Sequence, residues 1–170
     1  MDPVPLEARR DAAKMRGEEA MERCIVCGVD GSADSQAALG IAADLAARLH
    51  LRLIMANVVE PSPAYYAGVG SFGGAPSQPR FPATDQQEAV AKGLLTRLSA
   101  MVGLERAERR VVVGYAAERL AEIAEEEGAE LIVVGSRGRG AFKAAFLGSV
   151  STSLIGVAHC PVLVVPPGAV

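Results

Sequence analysis

From Cys24 onward, short apolar runs alternate with longer stretches whose apolar residues recur every three or four positions. The run CIVCGV at 24–29 has no polar side chain, as a strand covered on both faces requires. Ala33 to His50 carries Ala37, Ala38, Ile41, Ala42, Leu45 and Leu49 at helical spacing. Leu51 to Val59 (LRLIMANVV) predicts a second strand. Asp85 to Val102 predicts a helix with Val90, Leu94, Leu95 and Leu98 on one stripe. Arg109 to Val113 is a third strand, closed by Gly114. Tyr115 to Glu127 is an amphipathic helix facing inward through Leu120, Ile123 and Ala124, with the acidic run 125–127 in water and Gly128 as its stop. Leu131 to Val134, Ser149 to Ala158 and Pro161 to Val165 complete a fourth strand, a short helix and a fifth strand. Strand and helix alternate throughout. The expected fold is therefore α/β: a single doubly wound, five-stranded parallel sheet with helices on both faces.

Two segments stand outside this rhythm. Residues 1–22 form a charged extension with a weak apolar stripe, read as a solvated or partner-contacting arm before a domain at 23–170. Residues 60–82 are rich in Pro, Gly and Ser and are read as a loop.

Composition narrows the function. The net charge of −3 argues against a dedicated nucleic-acid binder. No apolar run approaches the roughly 20 residues that span a bilayer, and the N-terminal stretch lacks an apolar signal core, so a cytoplasmic protein without a membrane partner is expected. Cys24 and Cys27 have the spacing of a redox or zinc pair. On a strand, however, positions i and i+3 point to opposite faces, and the chain has few other ligands. Buried, inert thiols are expected instead.

The candidate chemistry sits at two strand ends, where ligands bind in open parallel sheets. The first strand ends at Val29-Asp30-Gly31-Ser32, and the fourth at Val134-Gly135-Ser136-Arg137-Gly138-Arg139-Gly140. A polyphosphate needs several N–H donors on one concave surface and no Cβ in the way; glycines and a helix N-terminus supply both. Gly135 and Gly138 are positioned to turn the backbone toward such a ligand, and Gly148-Ser149 to return at the head of the next helix with free N–H groups. The familiar phosphate loops do not fit. After Gly135 and Gly140 a P-loop needs Lys and Ser/Thr, where Ala141-Phe142 stand; a dinucleotide fingerprint from Gly138-Arg139-Gly140 meets Lys143 instead of glycine.

The spacing that does fit is G-2x-G-9x-G-[S/T], through Gly135, Gly138, Gly148 and Ser149. With Cys27-Gly28-Val29-Asp30-Gly31-Ser32, VVGSRGRG, LGSVS and the closing HCPVLVV, the chain resembles the ATP-binding branch of the universal stress protein family over about residues 23–166. The resemblance implies strand order 3-2-1-4-5 and ATP, with Mg or Mn, held by Gly135, Gly138, Gly148, Ser149, Val150 and Ser151. It puts Asp30 beside ribose, phosphates and a divalent ion, with Val29, Gly31 and Val134 as flanking positions. It puts Val58 against adenine through its backbone, and a homodimer along the last strand, 161–165. The family commonly has histidine before that adenine position, where this chain has Asn57.

Several residues carry two readings. Gly135 and Gly138 are a phosphate cradle or a plain tight turn. Asp30 is a ligand or an Asx-turn residue. Ser149 and Ser151 are cradle residues or ordinary caps. Arg137 and Arg139 are phosphate contacts or surface charge. Lys143 belongs to the nine-residue excursion and is read as solvent-facing rather than on a γ-phosphate. Tyr65 and Tyr66 are base-stacking or surface residues, and His50 and His159 are read as structural. No general base or arginine finger is evident. The function expected is a nucleotide-binding regulatory module in a stress response. The alternatives are a slow ATPase or autophosphorylating protein, and a dimeric interaction module with an empty or cyclic-AMP-binding site.

Overall fold

A computed structural model of the chain describes residues 23–60, 84–105, 107–138 and 147–169. The extension at 1–22, the loop positions from 61 on with Tyr65 and Tyr66, and Arg139 and Lys143 lie outside the described residues. Five strands, β1 (Cys24–Gly28), β2 (Arg52–Val59), β3 (Glu108–Val113), β4 (Leu131–Gly135) and β5 (Val162–Val165), form one sheet of order β3-β2-β1-β4-β5. All its pairings are parallel, with Val26 opposite Ile54 on one side and Ile132 on the other. The helices are α1 (Ala33–Leu49), α2 (Asp85–Met101), α3 (Ala116–Glu126) and α4 (Ser149–Val157).

The period of two along β1 sorts its side chains onto two cores. Ile25, Cys27 and Val29 face α1 and α2, meeting Leu39, Ala42 and Leu95. Cys24 and Val26 face α3 and α4, meeting Leu120, Ile123 and Leu154. The two thiols are thus divided between opposite faces, fully buried and free. Burial pushes the Cys27 thiol up to about 12 and raises that of Cys24. Neither is a thiolate near neutral pH, so neither has the form that bonds a metal or attacks a disulfide.

The helix boundaries have local causes. Ser32 caps α1 by accepting from the Ser35 amide, and His50 ends it in the left-handed region at φ 56°. Thr84 and Gln87 form a reciprocal capping box on α2. Gly128 follows α3 at φ 59°, a backbone form that costs glycine nothing.

Three periodicity expectations need correction. Leu49 is 56% exposed, because it falls in the last turn of α1 past the residues that pack on the sheet. Val90 is 63% exposed, because the head of α2 overhangs a cavity rather than the core. Glu127 does not simply face water: Arg52 of β2 and Arg110 of β3 both bond its carboxylate. Those bonds hold Glu127 below the usual carboxylate range, Arg52 contributing most.

Candidate functional site

The winding reverses between β1 and β4, so their carboxyl ends splay apart and leave a crevice. A cavity of about 910 Å³ occupies it, at the upper end of the roughly 300–1,000 Å³ typical of small-molecule sites. One end is apolar, walled by Val29, Ala56, Val58, Val90, Ala91 and Leu94. The other is polar, formed by Asp30, segment 134–138 and the head of α4 through Ser151. Among the candidate residues, Val29, Asp30, Val58, Val134, Gly135, Arg137, Gly138, Gly148, Ser149, Val150 and Ser151 line this one space. Gly31 does not; Arg139 lies outside the described residues.

The strand ends explain why the polar groups converge. Asp30 is an Asx turn: its Oδ1 accepts from the Ser32 amide at 2.9 Å and the Ser32 hydroxyl at 2.6 Å. Its other oxygen, Oδ2, faces Gly138, where an added Cβ would come within 2.8 Å. The turn role and a place on the cavity wall therefore coexist. Gly31 sits at φ 85° and donates its N–H to Ser35 Oγ at 3.1 Å, so it serves the turn.

Gly135 has a different reason to be glycine from the cradle reading. A Cβ there would lie 2.6 Å from the Asp34 carbonyl carbon and 2.8 Å from the Ser35 nitrogen. The first turn of α1 packs directly on the end of β4. The expectation of a free Gly148 amide is likewise corrected: that N–H donates to the Ser136 carbonyl at 2.7 Å. Gly148 is the N-cap of α4 and offers no side chain, so the first-turn amides of Ser149, Val150 and Ser151 have no side-chain cap. Ser151 is buried, and its hydroxyl donates to the carbonyls of Ser136 and Gly148. Ser149 is exposed.

Ser136 and Asp34 are the functional neighbours that sequence reasoning missed. Ser136 joins four elements. Its N–H donates to Val165 O at 2.7 Å, its carbonyl holds the head of α4, and its hydroxyl donates to Asp34 Oδ2 at 2.9 Å. Arg137 donates from Nε to the same oxygen at 3.2 Å. Asn57 is buried and donates to Val29 O at 2.6 Å, tying β2 to the end of β1. No signal in the local sequence marks these contacts, because each partner is a sequence-distant residue.

In chemical terms the cavity offers apolar side chains that suit a flat ring, small residues after β4 and at the head of α4, the Arg137 guanidinium and two carboxylates, Asp30 and Glu60. Among the described residues no group of three or more His, Cys, Asp and Glu is arranged to hold a metal ion. A magnesium-like ion that keeps waters and takes substrate oxygens needs only one or two protein carboxylates, and Asp30 fits that donor set. No described helix is long and apolar enough to cross a membrane.

The profile of the universal stress protein family matches residues 21–166. A universal stress protein of Thermus aquaticus is 32% identical over 146 residues, 85% of this chain and 99% of its own length. Among solved structures, UspA of Lactobacillus plantarum superposes with a TM-score of 0.66 at 22% identity, over 86% of this chain and 99% of that one. A universal stress protein in complex with cAMP superposes with a TM-score of 0.57 at 28% identity, over 86% and 98% of the two chains.

Proposed function

The chain belongs to the universal stress protein family, and from that premise we propose that it is a cytoplasmic regulatory module that binds ATP with a divalent ion. The observation that carries the reading is the single cavity shared by the segment after β4 and the head of α4. In this reading adenine enters the apolar end beside Val58, and the polyphosphate meets the amides of Arg137 and Gly138 and of Ser149, Val150 and Ser151. Charge-assisted bonds to such donors contribute about 1.5–3 kcal/mol each, so three or four reach micromolar affinity. Asp30 would hold the ion together with phosphate oxygens. The bound ion supplies charge neutralisation for the phosphates; the chain's own residues bind and orient. The cAMP complex of a 28% identical relative supports the adenine assignment and makes cAMP the natural competitor.

The reading includes a homodimer along β5. That strand is a sheet edge, and Ile155 and Val157 of the adjoining α4 stand 58% and 41% exposed. Pairing two such edges covers both liabilities.

Calorimetric titration of the wild type and of Gly138→Val with magnesium-ATP tests the reading, with cAMP as competitor. Saturable wild-type binding that the valine abolishes is expected. No binding at millimolar ATP, or displacement by cAMP far below the ATP concentration needed, would reject ATP as the ligand.

A further inference from the structure

We propose that Asp34 is a positioning residue for the polyphosphate end of the cavity, acting through Arg137; this rests on the nucleotide reading above. Arg137 lines the cavity, whereas Asp34 stands behind it, in the first turn of α1, with its side chain only 10% exposed. A single carboxylate oxygen receives both the Arg137 Nε–H at 3.2 Å and the Ser136 hydroxyl at 2.9 Å. The Ser136 bond fixes the carboxylate, and the carboxylate fixes one edge of the guanidinium. The Ser32 hydroxyl, which donates to Asp30 at 2.6 Å, also stands 3.3 Å from the Arg137 carbonyl.

Guanidinium is a rigid planar fork with five N–H donors. The bond to Asp34 uses the Nε–H, one of those five donors, and the Nη groups make no hydrogen bond to a described residue. Such a fork recognises phosphate oxygens in a fixed geometry, and less freedom is lost when its orientation is set in advance. Asp34 also carries a negative charge, which opposes an anionic ligand. That charge lies behind the guanidinium, farther from the cavity, so the nearer positive group dominates the field at the phosphates. The sequence gives Asp34 the look of an ordinary acidic residue at a helix start; the bond to a cavity-wall arginine assigns it a second role.

Calorimetry with magnesium-ATP and with adenosine, on wild type, Asp34→Asn, Arg137→Gln and the double variant, tests this. Asn keeps an acceptor oxygen and the side-chain shape, so folding is preserved. Asp34→Asn is expected to weaken ATP about tenfold while adenosine changes less than about twofold. In the Arg137→Gln background the same substitution should change neither ligand. Ser136→Ala, which frees the carboxylate from its other side, should weaken ATP in the same direction but less. A merely structural role would lower the melting temperature or weaken both ligands alike. An unchanged ATP-to-adenosine ratio overturns the inference, as does tighter ATP binding by Asp34→Asn or a full loss persisting without Arg137. Wild type that binds neither ligand overturns the nucleotide reading and this inference together, an outcome distinct from a wild type that binds both with an unmoved ratio.

Discussion

Gly135 and Gly138 stand three residues apart in one loop, and adding a methyl group to each should have opposite consequences. At Gly135 the new Cβ meets backbone, the Asp34 carbonyl carbon at 2.6 Å and the Ser35 nitrogen at 2.8 Å. Neither atom can move without dislodging the first turn of α1 from the sheet. Overpacking of this kind costs about 1–3 kcal/mol, and at 2–4 °C per kcal/mol for a domain of this size the melting temperature should fall by roughly 2–12 °C. At Gly138, which is exposed, the Cβ meets only the Asp30 carboxylate, Oδ2 at 2.8 Å. That oxygen has to rotate away, and the methyl then occupies the polar end of the cavity. Stability should stay within about 0.5 kcal/mol of wild type. ATP affinity should drop about tenfold, or 1.4 kcal/mol. Thermal melts and calorimetric titration of Gly135→Ala and Gly138→Ala read both quantities. If Gly138→Ala melts as low as Gly135→Ala, or if Gly135→Ala melts within a degree of wild type, the division of labour between these glycines is wrong.

Further consequences follow from other contacts. Arg52 and Arg110 depress the Glu127 carboxyl below its ordinary value, so the stability it contributes is present above about pH 4.5 and is lost as pH falls through the depressed folded value. Glu127→Gln should therefore cost about 1 kcal/mol at pH 7 and flatten the acid limb of urea-melt stability below pH 4.5; an unchanged limb would contradict it. Asn57→Ala leaves the Val29 carbonyl without its 2.6 Å donor and should cost about 1–2 kcal/mol in urea denaturation. Substituting Ile155, 58% exposed beside β5, by Glu should leave the melting temperature unchanged and convert a dimer to a monomer by sedimentation; a dimer that persists would place the interface elsewhere.

The sheet was legible because each strand is a short apolar run and each helix shows its own period, so layer and class follow from local pattern. The two cores, split through alternate residues of β1, are what that pattern demands. The spacing of Gly135, Gly138 and Gly148 was legible too, but not the reasons behind it. Gly135 yields to the approach of α1, a contact set by residues one hundred positions earlier. Glu127 looked solvated because its neighbours Glu125 and Glu126 are exposed, while its partners Arg52 and Arg110 arrive from β2 and β3. Asp34 and Ser136 carry no local signature of their bond. Val90 reads as core by period and lies over the cavity because α2 begins beyond the carboxyl end of the sheet. What period and spacing conveyed was the element; what they could not convey was the partner across the fold.

The central claim is that two separate runs of backbone amide, at 137–138 and 149–151, meet one polyphosphate. Amide chemical shifts of the isotope-labelled protein, followed by NMR as magnesium-ATP is added, test it most directly. Both runs should shift together with one saturation curve, while adenosine moves Val58 and its neighbours and leaves both runs in place. Shifts confined to one run, or centred on the far end of the sheet around Glu108 and Arg110, would contradict it.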